Sequence, residues 1–345
     1  LLSITLERNA SDLHLQVGEP PIIRVDSELI RLDNYQILSE DTVMDLLDIM
    51  LSKPQKQRFE QQMDIDFSYT FKDNARFRVN AYREQGLVAA AFRLVPTQIK
   101  TLEDLNLPPA LKKFTEYRQG LILVVGPTGH GKSTALASMI NEINQTRADH
   151  ILTIEDPIEF VFTPRESVIS QREVNLDTPD FAQALKAALR EDINVVLVGE
   201  IRDLDSVSAA LTLAETGHLI FATLHTNDAP QSIDRIVDIF PANQQPQIRS
   251  QLASVLLGVV SLRLLPKIGG GRVPAYEILQ MNHAVRNTIR DNKVYEIKNI
   301  IQTSYDEGMV PLDRTLATLV KQGIVELEVA QNFVLDKEYF LSLLV

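Results

Sequence analysis

Hydrophobic and polar positions change rhythm along this chain, and each rhythm predicts a different kind of element. In the first hundred residues the pattern is mixed. Residues 11–15 and 21–25 read as short strands, whereas Val43, Leu46, Leu47, Met50 and Leu51 recur at three-and-four spacing and predict a helix. Ile65, Phe67 and Tyr69 alternate with polar residues, as do Phe77, Val79 and Ala81. Two more strands are expected there, and Arg76, Arg78 and Asn80 share the face opposite the apolar one. From Pro96 to Arg118 the periodicity weakens around Pro108-Pro109, which predicts a linker over 98–118 with room for short helical turns inside it.

After Gly120 the rhythm becomes strand, loop, helix. Residues 121–125, 151–154, 195–198 and 219–223 are unbroken apolar runs, as expected of strands covered on both faces. The clearest helix between them is expected to start at Pro179 with Thr178 as N-cap, carrying Phe181, Ala184, Leu185, Ala188 and Leu189 on one side. Beyond about residue 241 the spacing reads as helical. Ile248, Leu252, Val255, Leu256 and Val259 form one stripe, and Leu312, Leu316, Leu319 and Val320 form another that Gly323 ends. The expectation is an α+β domain over 1–97 and an α/β domain over 119–345, with a mostly parallel sheet and a helical C-terminal part.

Composition narrows the function more than the fold. With 345 residues, 45% of them hydrophobic, the chain has material for two cores. Its longest apolar stretch, 252–262, falls well short of the roughly 20 residues that span a bilayer. No charged-then-apolar segment opens the chain, and the absence of cysteine excludes disulfides, thiolate zinc sites and cysteine nucleophiles, so the cytosol is the expected compartment. A net charge of −12 argues against a general nucleic-acid coat, and no nucleic-acid partner is expected.

Gly126-Pro127-Thr128-Gly129-His130-Gly131-Lys132-Ser133-Thr134 fits the phosphate-binding pattern G-x-x-x-x-G-K-[ST], between a predicted strand and a predicted helix. Glycines let the backbone wrap an anion, the helix start points N–H groups at it, Lys132 neutralises β/γ charge, and Ser133 offers a hydroxyl to Mg²⁺. ATP and Mg²⁺ are the cofactors this implies. Hydrolysis also needs a group that orients or deprotonates water. Strand 151–154 runs into Glu155-Asp156-Pro157-Ile158-Glu159, and strand 195–198 into Gly199-Glu200, so several carboxylates converge on the edge of the sheet that carries the loop. Position 199 is Gly where many such enzymes carry an Asp for the metal, which leaves Glu159 and Glu200 as the acids of interest. His218 and His225 flank strand 219–223, and both are candidates for the nucleotide edge. The histidines form no metal-ligand cluster by spacing.

These blocks together resemble the type II/IV secretion and pilus ATPases, and within them the PilT-like retraction ATPases of type IV pili. The resemblance rests on the loop at 126–134, the acidic box 153–159, the segment Leu197-Val198-Gly199-Glu200-Ile201-Arg202-Asp203, and the histidine box from Thr216-Gly217-His218 to Leu224-His225-Thr226. Gly199 is typical of that family. The resemblance implies a RecA-like ATPase core behind a PAS-like N-terminal domain and assembly into a hexamer. It implies Glu159 as catalytic base, Glu200 as organiser of the metal through water, and His225 and His218 near the nucleotide. N-terminal arginines, of which Arg78 and Arg93 fit best, would bring charge to the phosphates.

The chain is short and lacks the four-cysteine zinc motif usual in assembly-type relatives. Its Ala284-Val285-Arg286-Asn287-Thr288-Ile289 is similar to the retraction-associated Ala-Ile-Arg-Asn-Leu-Ile, with Val285 in place of Ile and Thr288 in place of Leu. The implied function is pilus retraction and twitching motility, exerted on an inner-membrane platform protein by a cytoplasmic motor, alone or with a paralogous retraction ATPase. A pilus-assembly or type II secretion ATPase, and a weakly active accessory partner, are the alternatives.

Overall fold

The alternating segments of the first hundred residues become an antiparallel sheet with one covered face. In the computed structural model, which describes residues 1–344 except 26–27, 73–74 and 96–97, this region runs α1 (Leu2–Glu7), β1 (Asp12–Gln16), β2 (Ile22–Val25), β3 (Glu28–Arg31), α2 (Glu40–Met50), α3 (Lys53–Gln62), β4 (Asp64–Phe71), β5 (Ala75–Glu84) and β6 (Leu87–Leu94). The strands lie in the order β3-β2-β1-β6-β5-β4. Leu13, Leu15, Phe77, Val79, Ala81 and Phe92 face inward and meet Val43 and Leu47 of α2 and Phe59 of α3. The helices start where their caps dictate: Ser39 accepts the Thr42 N–H, and Ser52 and Gln55 form a capping box. β5 returns into β6 through Gln85 and Gly86, both at positive φ, the two-residue turn that suits strand twist. That turn sets the register in which Arg78 stands opposite Arg93.

The second region runs α4 (Ala110–Glu116), β7 (Gly120–Val125), α5 (Lys132–Thr146), β8 (His150–Glu155), β9 (Val168–Glu173), α6 (Phe181–Ala188), β10 (Val195–Val198), α7 (Leu204–Glu215), β11 (Leu219–Leu224), α8 (Ala229–Asp238), α9 (Gln245–Val255), β12 (Leu256–Pro266), β13 (Arg272–Gln280), α10 (His283–Arg290), α11 (Ile297–Thr303), α12 (Leu312–Lys321), α13 (Leu327–Gln331) and α14 (Lys337–Leu344). Its sheet has the order β13-β12-β7-β11-β10-β8-β9. All neighbours are parallel except β12 and β13. The contiguous apolar runs are its central strands: β7, β10 and β11 are buried along their whole length, and β8 from Ile151 on.

Three expectations need correction. The C-terminal part from about 241 is not wholly helical, because the apparent stripe through Leu256 and Val259 crosses an element boundary. The helix stops at Val255, and Leu256–Pro266 extends the sheet beside β7. Gly258 marks the change. A Cβ there would run into the Phe114 ring of α4, and the register with β7 shifts at this point, so the glycine admits a close approach that helix periodicity conceals.

The expected linker does not stand apart from the domains. Compact grouping separates 1–98 with 157–161 from 99–156 with 162–345, so 99–118, including α4, belongs to the second unit. The expected domain end at residue 97 lies outside the described residues. Finally, α6 begins at Phe181 rather than Pro179. Asp180, not Thr178, caps it, its carboxylate accepting the Gln183 N–H at 2.7 Å.

Candidate phosphate-binding site

Parallel pairing decides which side chains can meet. Val125 stands beside Leu224, and Val198 beside both Ala222 and Ile154, so the loops after β7, β11, β10 and β8 all leave one edge of the sheet. The loop after β7 is the glycine-rich one. Gly126 has φ 143°, and a Cβ there would lie 2.5 Å from the Leu262 carbonyl of β12, so no larger residue fits. Gly131, at φ 86°, is the N-cap of α5. The first turn of α5 then presents N–H groups that have no acceptor within the helix. Lys132 is buried, and its ammonium donates to the Gly126 and Pro127 carbonyls at 2.9 and 3.0 Å, which holds it inside the curve of the loop. The hydroxyls of Ser133 and Thr134 follow on the half-buried first turn. This is a cradle of donors and one fixed cation, and it fits a polyphosphate.

His225 leaves β11 at this same edge and bridges two parts of it. Its Nδ1 lies 3.4 Å from the Thr128 hydroxyl, and its Nε2 lies 3.7 Å from a Glu200 carboxylate oxygen. The other Glu200 oxygen is 4.0 Å from Arg202. Gly199 has a reason of its own: a Cβ there would press within 3.3 Å of both the Ile154 carbonyl and the Glu155 Cα. An Asp at 199 would therefore crowd the end of β8, and Glu200 carries the acid one residue on. Thr223 donates to the Gly199 carbonyl, and Thr153 to the buried Glu155 carboxylate at 2.7 Å, tying the strand ends together.

Glu159 is exposed, four residues past Glu155, in the 157–161 segment that groups with the first unit. In that unit Arg78 and Arg93 stand side by side on the solvent-facing side of β5 and β6. The Arg78 guanidinium is 3.9 Å from Asp66, and Arg93 donates to Asp12 at 2.9 Å. Burial alone would push the Asp12 carboxyl up, but hydrogen bonds from Ser11 and Arg93 and the Arg93 charge outweigh it and hold the group below its usual range.

His218 does not join the site. It precedes β11, its carbonyl accepts the Gly120 N–H where β7 begins, and six strand residues, about 20 Å of extended chain, separate it from His225. Its Nδ1 is 3.0 Å from the Leu213 carbonyl, within the turn after α7. His130 does belong to the loop, but its ring is engaged with β12: Nδ1 accepts the Leu264 N–H at 2.9 Å.

A buried polar group behind the loop went unforeseen. Arg263 donates to the Leu262 and Asn227 carbonyls, both at 2.8 Å, and Ser261 also donates to the Asn227 carbonyl at 2.8 Å. Glu277 accepts the Ala229 N–H at 2.9 Å, and burial pushes its carboxyl up to about 7, with Asp228 adding to the rise against the Ala229 hydrogen bond and Lys298. A charged residue inside each of the apolar runs 256–265 and 273–279 was the available signal. Among the described residues no cluster of three or more His, Asp or Glu side chains could hold a metal ion by itself. Nor is any described helix long and apolar enough to cross a membrane.

The family model "Type II/IV secretion system protein" matches residues 1–331. The type IV pilus retraction ATPase PilT of Pseudomonas aeruginosa is 46% identical over 332 residues, covering 96% of each chain. A twitching motility protein of Neisseria gonorrhoeae is 46% identical over 313 residues, 90% of this chain and 83% of that one. The crystal structure of the pilus retraction motor PilT with bound ADP superposes with a TM-score of 0.91 at 47% identity, covering 98% of this chain and 97% of the other.

Proposed function

The chain belongs to the type II/IV secretion system protein family, and we propose that it is an ATP-hydrolysing motor that powers type IV pilus retraction. The observation that carries this reading is the junction of Thr128, His225 and Glu200 at the mouth of a complete phosphate loop, in a chain so similar to a retraction ATPase. The loop N–H groups of Gly126–Thr134 and the Lys132 ammonium bind the β- and γ-phosphates. Ser133, and Glu200 through water, would hold Mg²⁺, which would supply positive charge to the phosphates. Glu159 takes a proton from the attacking water as the bond from the γ-phosphorus to its bridging oxygen breaks. His225 sits between the loop and Glu200, and so senses whether phosphate is present.

The remaining roles belong to the assembly. The PAS-like N-terminal domain and the ATPase domain, which takes in 99–118, move against one another, and Arg78 and Arg93 bring positive charge to the phosphates. A hexamer of such chains works at the cytoplasmic side of the inner membrane, turning a platform protein so that pilin leaves the fibre, with or without a paralogous partner.

Steady-state ATPase activity of the purified assembly tests the chemistry. Glu159→Gln and Glu200→Gln should each lower turnover by about 10²-fold or more while nucleotide binding and oligomer size stay at wild-type levels. A wild-type assembly that is well formed yet inactive would remove the motor reading. Direction is tested in cells: deletion should give excess pili, and loss of pili would make this an assembly motor.

A further inference from the structure

Where β12 passes the root of the phosphate loop, its backbone loses its neighbour. β7 pairs with β12 only as far as Val125 beside Ser261, because it then turns away at Gly126. On its other edge β12 is paired with β13, where Leu264 stands opposite Pro274, a residue with no N–H. Alternate residues of a strand direct their polar groups to the same side, so Leu262 and Leu264 both face the side that β7 has left. Buried backbone groups need partners, and here two side chains supply them. Arg263 donates to the Leu262 carbonyl at 2.8 Å, and His130, from the tip of the phosphate loop, accepts the Leu264 N–H through Nδ1 at 2.9 Å.

We propose that His130 is a positioning residue: its Nδ1 completes the β12 ladder and so docks the tip of the phosphate loop on the sheet in the shape that binds nucleotide. The inference rests on the ATPase reading of the loop and deepens it. A ring nitrogen that accepts a hydrogen bond carries no proton, so the neutral tautomer with hydrogen on Nε2 makes the contact. Leu264 supports the same docking by packing, since its Cδ1 lies 3.3 Å from where a Cβ on Gly131 would be. Phe333, after α13, meets the imidazole edge-on at 6.1 Å between centroids.

The surroundings favour the neutral ring. Burial is the largest influence lowering the His130 pKa, and Arg263 of β12, Lys132 of α5 and Arg272 of β13, the charged groups that act on it, all push the same way. A histidine held below 6.5 in the fold contributes stabilisation that is complete above that value and lost as pH falls through the folded pKa. Acid therefore removes the acceptor, strands the Leu264 N–H and frees the loop tip.

The test is the affinity of the full-length protein for a fluorescent ADP analogue, measured from about pH 8 to about pH 5.5 with wild type, His130→Asn and His130→Gln. Asn places an amide oxygen where Nδ1 stands, and Gln places it one bond too far. His130→Gln should bind about three- to tenfold more weakly near pH 8, as one lost hydrogen bond predicts, and Asn should restore affinity to within about twofold. Wild type should weaken in acid, and the Asn variant should not. Equal affinities and identical pH profiles in all three proteins would overturn the proposal. So would wild-type affinity that rises in acid and is lost with Asn, since the ring would then be a cationic phosphate ligand. If the Gln variant fails to fold, the two remaining pH profiles decide by themselves. A wild-type protein that binds no nucleotide at any pH would overturn the ATPase reading itself, whereas normal binding indifferent to residue 130 overturns only the docking role.

Discussion

The two ends of the parallel sheet carry similar residues and use them differently. At the end where the strands begin, polar groups are closed into tight pairs. Arg147 is buried and donates to Asp149 and the Thr115 carbonyl at 2.6 Å and to the Tyr117 carbonyl at 2.8 Å, while the His218 ring sits 3.0 Å from the Leu213 carbonyl. At the end where the strands finish, Thr128, His225, Glu200 and Arg202 form a partly exposed chain with separations of 3.4, 3.7 and 4.0 Å. Short closed contacts stabilise a fold. Longer open ones leave donors and acceptors that can turn to a ligand, and apo sites commonly show such loose geometry.

Four substitutions would break or sharpen that contrast. The largest effect is expected at the closed end. Arg147→Met leaves Asp149 largely buried, with the solvent-facing Arg118 at 3.2 Å as its remaining cation among the described residues, and should cost about 3 kcal/mol in chemical denaturation. If its loss costs nothing, the closed end is not structural.

Next comes Glu277, behind the open end. Its folded pKa of about 7 lies above its ordinary 4.5, so its contribution is fully present below the unfolded value and is lost as pH rises through about 7. Glu277→Gln should flatten the dependence of stability on pH between those values by roughly 2 kcal/mol, read from denaturation midpoints. An unchanged slope would mean the carboxyl is charged in the fold.

The smallest effects separate the two histidines. His225→Ala should slow ATP turnover about tenfold with little change in melting temperature, whereas His218→Ala should cost about 1 kcal/mol of stability and leave nucleotide affinity alone. Equal effects on turnover would erase the distinction drawn between the two edges.

Much of this was legible beforehand, and the errors have identifiable sources. Covered parallel strands are continuous apolar runs, so β7, β8, β10 and β11 stood out, and the phosphate loop is local in sequence. Placing His218 at the nucleotide edge came from counting residues without strand polarity: one residue before a strand and one after it lie at opposite edges. β12 was hidden because Leu252, Val255, Leu256 and Val259 satisfy helical spacing on both sides of a boundary that only the partner strand β7 defines.

The sequence alone determined the phosphate loop and the α/β class of its sheet, because the loop and each strand are runs of residues close together in the chain. Tertiary structure decided what those residues touch. The acceptor for Leu264 lies 134 residues away at His130, and the acceptor for Arg263 lies 36 residues away at Asn227. Which backbone groups a strand leaves unpaired depends on where its neighbour turns aside, and that is a property of the assembled sheet.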